Sequence, residues 1–180
     1  MEPKPHWYAV FTRSHFEKKL ASELTAKGVE NYVPLFQELH QWKDRKKLVE
    51  LPVFPSYVFA HFVDTGAQRL QILKCPGTVR ILGIEGRLEP IPELEIESIR
   101  RLLSADVPCF AHPFLKEGAW VRVKRGSLKG LEGLLVRVKN KTRLVLSVTL
   151  LSQAVATEID IHDVGVIRPA GRRGSREESV

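Results

Sequence analysis

The sequence predicts an α+β chain in two unlike parts: a ferredoxin-like α/β sandwich, then a small β-barrel of about five strands. Three observations predict this. Across residues 1–104, strand-like runs rich in aromatic and β-branched residues alternate with runs of helical periodicity. Beyond residue 114 the helical period disappears, and short valine-rich runs punctuated by glycines replace it. Between the two, residues 105–114 carry Pro108 and Pro113 with little periodicity, as a linker does. The expected units are 1–104, the linker 105–114, a barrel at 115–169 and a disordered tail at 170–180.

In chain order, His6–Thr12 reads as the first strand. Ser14-His15-Phe16-Glu17 then fits a capping box, with the Ser14 hydroxyl and the Glu17 carboxylate exchanging bonds with each other's backbone N–H. Phe16, Leu20 and Leu24, four residues apart, mark a buried helical face that ends at Lys27-Gly28. Glu30–Phe36 is a second strand, bent at Pro34. Residues 38–51 read as a hairpin or excursion with its tip at Lys43–Lys47. Ser56–Val63, almost wholly apolar, is a central strand. A short helix at Ala67–Leu73 and a strand at Thr78–Leu82 follow. Pro92 opens a last helix whose apolar face is Leu94, Ile99, Leu102 and Leu103. Two strands joined without a helix, inside a β-α-β alternation, give the ferredoxin-like reading. In the second part Gly126, Gly130 and Gly133 are read as turn residues. Asn140–Ile161 can also be written as helices, but its valine-rich runs favour strands.

Composition narrows the function. The chain has 180 residues, a net charge of +7 and 43% hydrophobic residues, enough for packed cores. Most of the positive excess lies after residue 104, and residues 84–104 are locally acidic. A basic balance favours polyanionic partners. No apolar run reaches the ~20 residues of a membrane span, and the start has no apolar signal core. A cytoplasmic protein without membrane attachment is expected. Cys75 and Cys109 are far apart, so neither a zinc site nor a disulfide framework is suggested. The six histidines show no metal-ligand spacing and no pairing with a nucleophile, and there is no phosphate-binding glycine loop. No enzyme activity, metal or other cofactor is expected.

Several motifs carry a resemblance. Trp7-Tyr8-Ala9-Val10, Phe54-Pro55-Ser56-Tyr57-Val58-Phe59 and Pro76-Gly77-Thr78-Val79-Arg80-Ile81-Leu82 are similar to the N-terminal domain of the NusG family of transcription elongation factors. Glu117-Gly118-Ala119-Trp120-Val121-Arg122-Val123 and Gly126–Gly133 resemble a KOW domain, which is an SH3-like five-stranded barrel. Ser56 stands where the family usually has Gly, and Leu151 where the general factor has an aromatic. Those departures resemble a specialised paralogue of the RfaH or capsule-operon antiterminator type.

The resemblance implies a monomer that binds RNA polymerase and modulates pausing, termination or antitermination. Carried over by position, the surface for the clamp helices of the polymerase's largest subunit is Tyr8, Phe11, Phe54, Pro55 and Tyr57. Rigid aromatics suit such a surface, although the same residues would serve as core. Upstream or non-template DNA would meet Arg13, His15, Lys18, Lys19 and Arg80, and the hairpin cations Lys43, Arg45, Lys46 and Lys47, through phosphate or base edges. Charge runs of this kind are otherwise solvated faces. Gln68 and Arg69 stand where the family reaches the second-largest subunit, but its hydroxyl-rich motif is missing. The KOW domain would recruit a ribosomal protein or the terminator Rho, with Leu151 at the contact. The alternative is an RNA- or ribosome-binding protein acting mainly through its KOW module.

Overall fold

The computed structural model describes residues 4–41, 46–105, 107–113, 118–138 and 140–168. Its first half is built on a four-stranded sheet. β1 (His6–Thr12) lies between β5 (Tyr57–Phe62) and β6 (Thr78–Ile81), and β2 (Glu30–Tyr32) pairs on the far side of β5. The three pairings are antiparallel. Strand alternation sends Trp7 and Ala9 to one face and Tyr8, Val10 and Thr12 to the other.

The second of those faces is covered by α1 (Glu17–Ala26) and α2 (Gly66–Leu73). Leu20 and Leu24 of α1 and Ile72 of α2 close over Tyr8, Val10, Val58, Ala60 and Phe62. α1 ends as its sequence says it should, at Lys27, followed by Gly28 at φ 72°. Its start differs. Ser14 caps nothing, and the helix begins after Phe16 with no side-chain cap. The Glu17 carboxylate, 6% exposed, accepts the backbone N–H of Ser56 at 2.7 Å. A distant orphan N–H has outcompeted the local cap.

The other face carries α3 (Glu93–Ser104), which packs Ile96, Ile99 and Leu102 against the core containing Trp7, Ala9, Phe54 and Phe59. Leu94, expected on this face, is 70% exposed, and Ile96 takes its place. Ile96, Ile99 and Leu102 follow the helical period, whereas Leu94 falls outside it. Trp7 fastens α3. Its indole N–H donates to Glu93 Oε1 at 3.0 Å. The Arg100 guanidinium lies 4.9 Å from the rings of both Trp7 and Tyr32. Burial pushes the Tyr32 hydroxyl up to about 12, against the lowering effect of Arg100.

The expected bend at Pro34 is a full break: β2 ends at Tyr32, and β3 (Leu35–Gln41) pairs with β4 (Lys46–Pro52) in a separate ribbon. Lys43 and Arg45 lie outside the described residues. A second, very short ribbon, β7 (Gly83–Ile84) with β8 (Arg87–Leu88), has no counterpart in the sequence reading.

The second half is one six-stranded sheet. Its members are β9 (Cys109–Pro113), β10 (Ala119–Val123), β11 (Glu132–Val138), β12 (Lys141–Val148), β13 (Gln153–Glu158) and β14 (Val164–Arg168), in the order β14-β10-β11-β12-β13-β9. Among the described residues the end strands β14 and β9 do not pair with each other, so the series does not close into the expected barrel. β9 falls in the stretch read as a linker. It pairs with β13, and the Thr157 hydroxyl donates to the Pro108 carbonyl at 2.8 Å. Pro108 precedes this strand and Pro113 is its last residue, so neither breaks it. Gly133 is not a turn residue either. It sits in β11, where a Cβ would lie 2.7 Å from the Val145 carbonyl oxygen. The close approach of β12 therefore requires it.

The two halves share apolar contact. The core that begins at Trp7 and Phe59 continues through α3 to Leu128, Leu131, Leu144, Leu146 and Leu151. No helix among the described residues is long and apolar enough to cross a membrane.

Candidate interface for polymerase and nucleic acid

Three turns meet at one end of the first sheet, and backbone groups tie them together. Thr12 N–H donates to the Ser56 carbonyl, and Arg13 N–H to the Gly77 carbonyl, both at 2.9 Å. The Thr12 hydroxyl, fully buried, also donates to Gly77 O at 2.8 Å. The Phe16 ring lies against Gly77, which has φ 90°. A Cβ there would sit 2.5 Å from Phe16 Cδ1, so both conformation and space select glycine.

From these turns a row of side chains emerges on the α3 side of the sheet. Phe11 pairs with Tyr57 on one flank and with Arg80 on the other. The rings of Phe11 and Tyr57 are 5.4 Å apart and tilted by 51°. The Arg80 guanidinium is 5.7 Å from the Phe11 ring. Phe11 and Tyr57 are half-buried and Arg80 is exposed. α3 covers the Trp7 end of this face and leaves the Phe11 end open. Pro55 is exposed at the entrance to β5.

Two residues expected on this surface are core instead. Tyr8 is 4% exposed and points to the α1–α2 face, where its ring meets Phe62 at 4.6 Å. Burial, with the charge of Asp64 behind it, raises its hydroxyl pKa. Residues 8 and 11 differ by an odd number of positions, so an unbroken strand must send them to opposite faces. Phe54 is 1% exposed and packs edge-on against Phe59 at 5.7 Å.

Some of the expected cations lie at this end of the sheet, and others lie along the β3–β4 ribbon. Arg13, Lys18 and Lys19 are exposed around the start of α1. Lys18 Nζ reaches Glu50 Oε2 of β4 at 2.9 Å, and Lys19 Nζ lies 5.3 Å from the Phe16 ring. Such an exposed pair contributes about 0–1 kcal/mol. His15, at φ 64°, lines a mainly apolar hollow of about 360 Å³ with Ser14, Leu51, Pro55, Ser56 and, from β9, Ala111. Lys46 and Lys47 are exposed on β4. Gln68 and Arg69 are engaged within the domain: Gln68 Oε1 accepts the Val63 N–H at 2.8 Å, and Arg69 pairs with Asp64.

Sequence reasoning gave Glu17 a local partner in place of Ser56 and missed the strain above it. Ser56 has φ 65°, a left-handed conformation that costs a non-glycine residue about 1–2 kcal/mol. The bond to Glu17 holds the turn there. Ser56→Gly should therefore raise stability by about 0.5–1 kcal/mol in urea titrations, once the greater freedom of unfolded glycine is set against the relieved strain. The signal for Glu17 is weak: a carboxylate at the first position of a helix is ordinarily a dipole partner.

Leu151 is 9% exposed and belongs to the shared core. Beside it, Thr149 donates its hydroxyl to Glu95 Oε1 at 2.8 Å and its N–H to Oε2 at 3.2 Å. Arg101 Nη2 donates to the Lys129 carbonyl at 2.7 Å. Burial raises the Glu95 pKa, and the two bonds from Thr149 only partly oppose it. A carboxyl with a raised folded pKa contributes stability that is fully present below its unfolded value. That contribution is lost as pH rises through the folded value. Glu95→Gln should remove this component, so its stability relative to wild type should improve from pH 4 to pH 7, as read by urea unfolding at each pH.

Among the described residues no group of three or more His, Cys, Asp or Glu could hold a metal ion. Comparison with known proteins adds the following. Residues 5–100 match the family model described as "Transcription termination factor nusG". The chain is 25% identical over 177 residues to a transcription termination/antitermination protein NusG of Borreliella burgdorferi, covering 88% of this chain and 96% of that protein. It is 27% identical over 175 residues to its counterpart in Escherichia coli K12, covering 90% and 96%. A solved structure, "Domain interaction in Thermotoga maritima NusG", superposes with a TM-score of 0.53 at 20% identity, covering 92% of this chain and 98% of that one. That likeness concerns the fold alone.

Proposed function

The chain belongs to the NusG family, and from that premise we propose that it rides on RNA polymerase as a regulator of termination or antitermination, gripping the enzyme through Phe11, Tyr57 and Pro55. The observation that carries this reading is the row Tyr57–Phe11–Arg80. It combines half-buried aromatics, which can yield area at low entropic cost, with a cation beside them. The rest of that sheet face is occupied by α3. Arg13, Lys18 and Lys19 adjoin the row and would meet phosphates of the upstream or non-template strand. In fold terms, the reading takes the first half as a ferredoxin-like sandwich and the second as a KOW module.

The second half would recruit a further partner, a ribosomal protein or Rho, through the surface around Leu151. That residue is 9% exposed, next to the Thr149–Glu95 contact, and the reading takes that contact to part on recruitment.

The test is affinity for a reconstituted elongation complex. Phe11→Ala with Tyr57→Ala should weaken binding at least tenfold, about 1.4 kcal/mol, while the melting curve stays cooperative. Undiminished affinity in a folded double variant would move the interface elsewhere. The RNA-binding alternative predicts that residues 115–169 dominate binding to structured RNA, and no structural observation favours it.

A further inference from the structure

Glu17 is the one charged side chain buried among the described residues. It opens α1, and its Oε1 accepts the Ser56 N–H at 2.7 Å. Phe54 to Tyr57 form a β-turn, closed by the Tyr57 N–H donating to the Phe54 carbonyl at 3.2 Å. Pro55 takes the second position of that turn, and Ser56, at φ 65°, the third. A positive φ at the third position marks the type II form. The type I form is reached by turning over the central peptide, between Pro55 and Ser56, which returns the third residue to negative φ. For any residue but glycine, that form relieves the left-handed strain. The N–H that Glu17 accepts belongs to this central peptide. The peptide is trans, so its N–H and carbonyl point opposite ways. With the N–H on Glu17, the Pro55 carbonyl therefore points away from the carboxylate. Turned over, the carbonyl oxygen would face the carboxylate, and two acceptors would meet.

We propose that Glu17 is a positioning residue for the polymerase surface: it selects the type II form of the Phe54–Tyr57 turn, and so fixes Pro55 and its carbonyl against the aromatic row of Tyr57 and Phe11. This rests on the reading of Phe11, Tyr57 and Pro55 as the gripping residues. The turn supplies two of those three. Its far end is already held, because the Thr12 N–H donates to the Ser56 carbonyl at 2.9 Å. The central peptide is the piece left free to turn, and Glu17 is the group that meets it. Without that acceptor, the strain at Ser56 favours the turned-over form. Affinity then falls with the fraction of molecules that keep the competent turn.

The experiment compares the full chain as wild type, Glu17→Ala, Ser56→Gly and the two changes together, at a temperature where melting curves show each one folded. Each is titrated against the elongation complex. The turn is read separately, without polymerase, from the NMR nuclear Overhauser signal between Pro55 Hα and the Ser56 N–H, which is strong in type II and weak in type I. Glu17→Ala should weaken that signal and lower the affinity about tenfold, in line with the lost fraction of competent turns. Ser56→Gly alone should keep the signal strong. Added to Glu17→Ala, it should restore the signal and bring the affinity to within about twofold of wild type, because glycine takes a positive φ without strain. A carboxylate that served only as packing would not be replaced by a glycine in the turn. Glu17→Gln keeps the side-chain volume and guards against a poorly folded Ala variant. Its amide can accept the N–H or donate to the carbonyl, so it should bind about threefold more weakly, and Ser56→Gly should restore it too. A strong signal in folded Glu17→Ala overturns the inference, as does a failure of Ser56→Gly to restore affinity. So does a turned-over Glu17→Ala that binds like wild type while Phe11→Ala with Tyr57→Ala does not, and in that case the functional reading stands. Wild-type binding by the aromatic double variant takes down the functional reading itself, and this inference with it.

Discussion

Trp7→Ala should lower the unfolding free energy by about 3–5 kcal/mol, the usual range for removing a large aromatic from a core. Trp7 is 1% exposed and does three things at once. It fills the space between the sheet and α3. Its N–H holds Glu93 at the start of that helix. Its ring lies between His61, stacked at 4.8 Å, and Arg100 at 4.9 Å. The bond to Glu93 and the cation contact are each worth about 1 kcal/mol, so the lost volume dominates. Because α3 also faces the second half, through Ile96, Ile99 and Leu102 in the shared core, loosening it should weaken both halves. Circular dichroism in a urea titration checks the magnitude. Trp7→Phe, which keeps most of the volume but not the N–H, should lose much less. An equal loss in the two variants would shift the weight from packing to the Glu93 bond.

Much of this framework was legible because it follows from local periodicity. β1 can be read from its aromatic and β-branched run. α1 shows in Leu20 and Leu24, and its end shows at Gly28. The central position of β5 follows from its continuous apolar run. What escaped were relations between distant residues. Glu17 looks like a capping partner for Ser14 until Ser56, 39 positions away, offers its N–H. Gly133 looks like a turn residue until β12 is brought within 2.7 Å of where its Cβ would be. Residues 109–113 look unpaired because the strand they join, β13, begins 40 residues later. Tyr8 is different, since parity along β1 sufficed to separate it from Phe11. The family resemblance grouped the two, and strand geometry divides them.

Phe54→Ala carries the second large expectation and bears directly on how the interface is tested. The ring is 1% exposed, edge-on to Phe59, and neighbours Val53 in the shared core. Its removal should cost about 3–5 kcal/mol, a large fraction of the 5–15 kcal/mol that holds a typical domain. Polymerase binding by this variant should fall in proportion to the folded fraction, and recover when temperature is lowered or a stabilising change such as Ser56→Gly is added. Tyr57→Ala should behave in the opposite way. Its side chain is half-buried, so the melting temperature should move less, while affinity falls and does not recover on cooling. Measuring both variants for melting and for elongation-complex affinity at two temperatures separates the roles. If Phe54→Ala stays folded and its affinity falls independently of temperature, the ring reaches the partner after the covering elements part. If its loss tracks unfolding, Phe54 is the support on which the turn at Pro55 and the start of β5 stand, and the gripping surface begins one residue later.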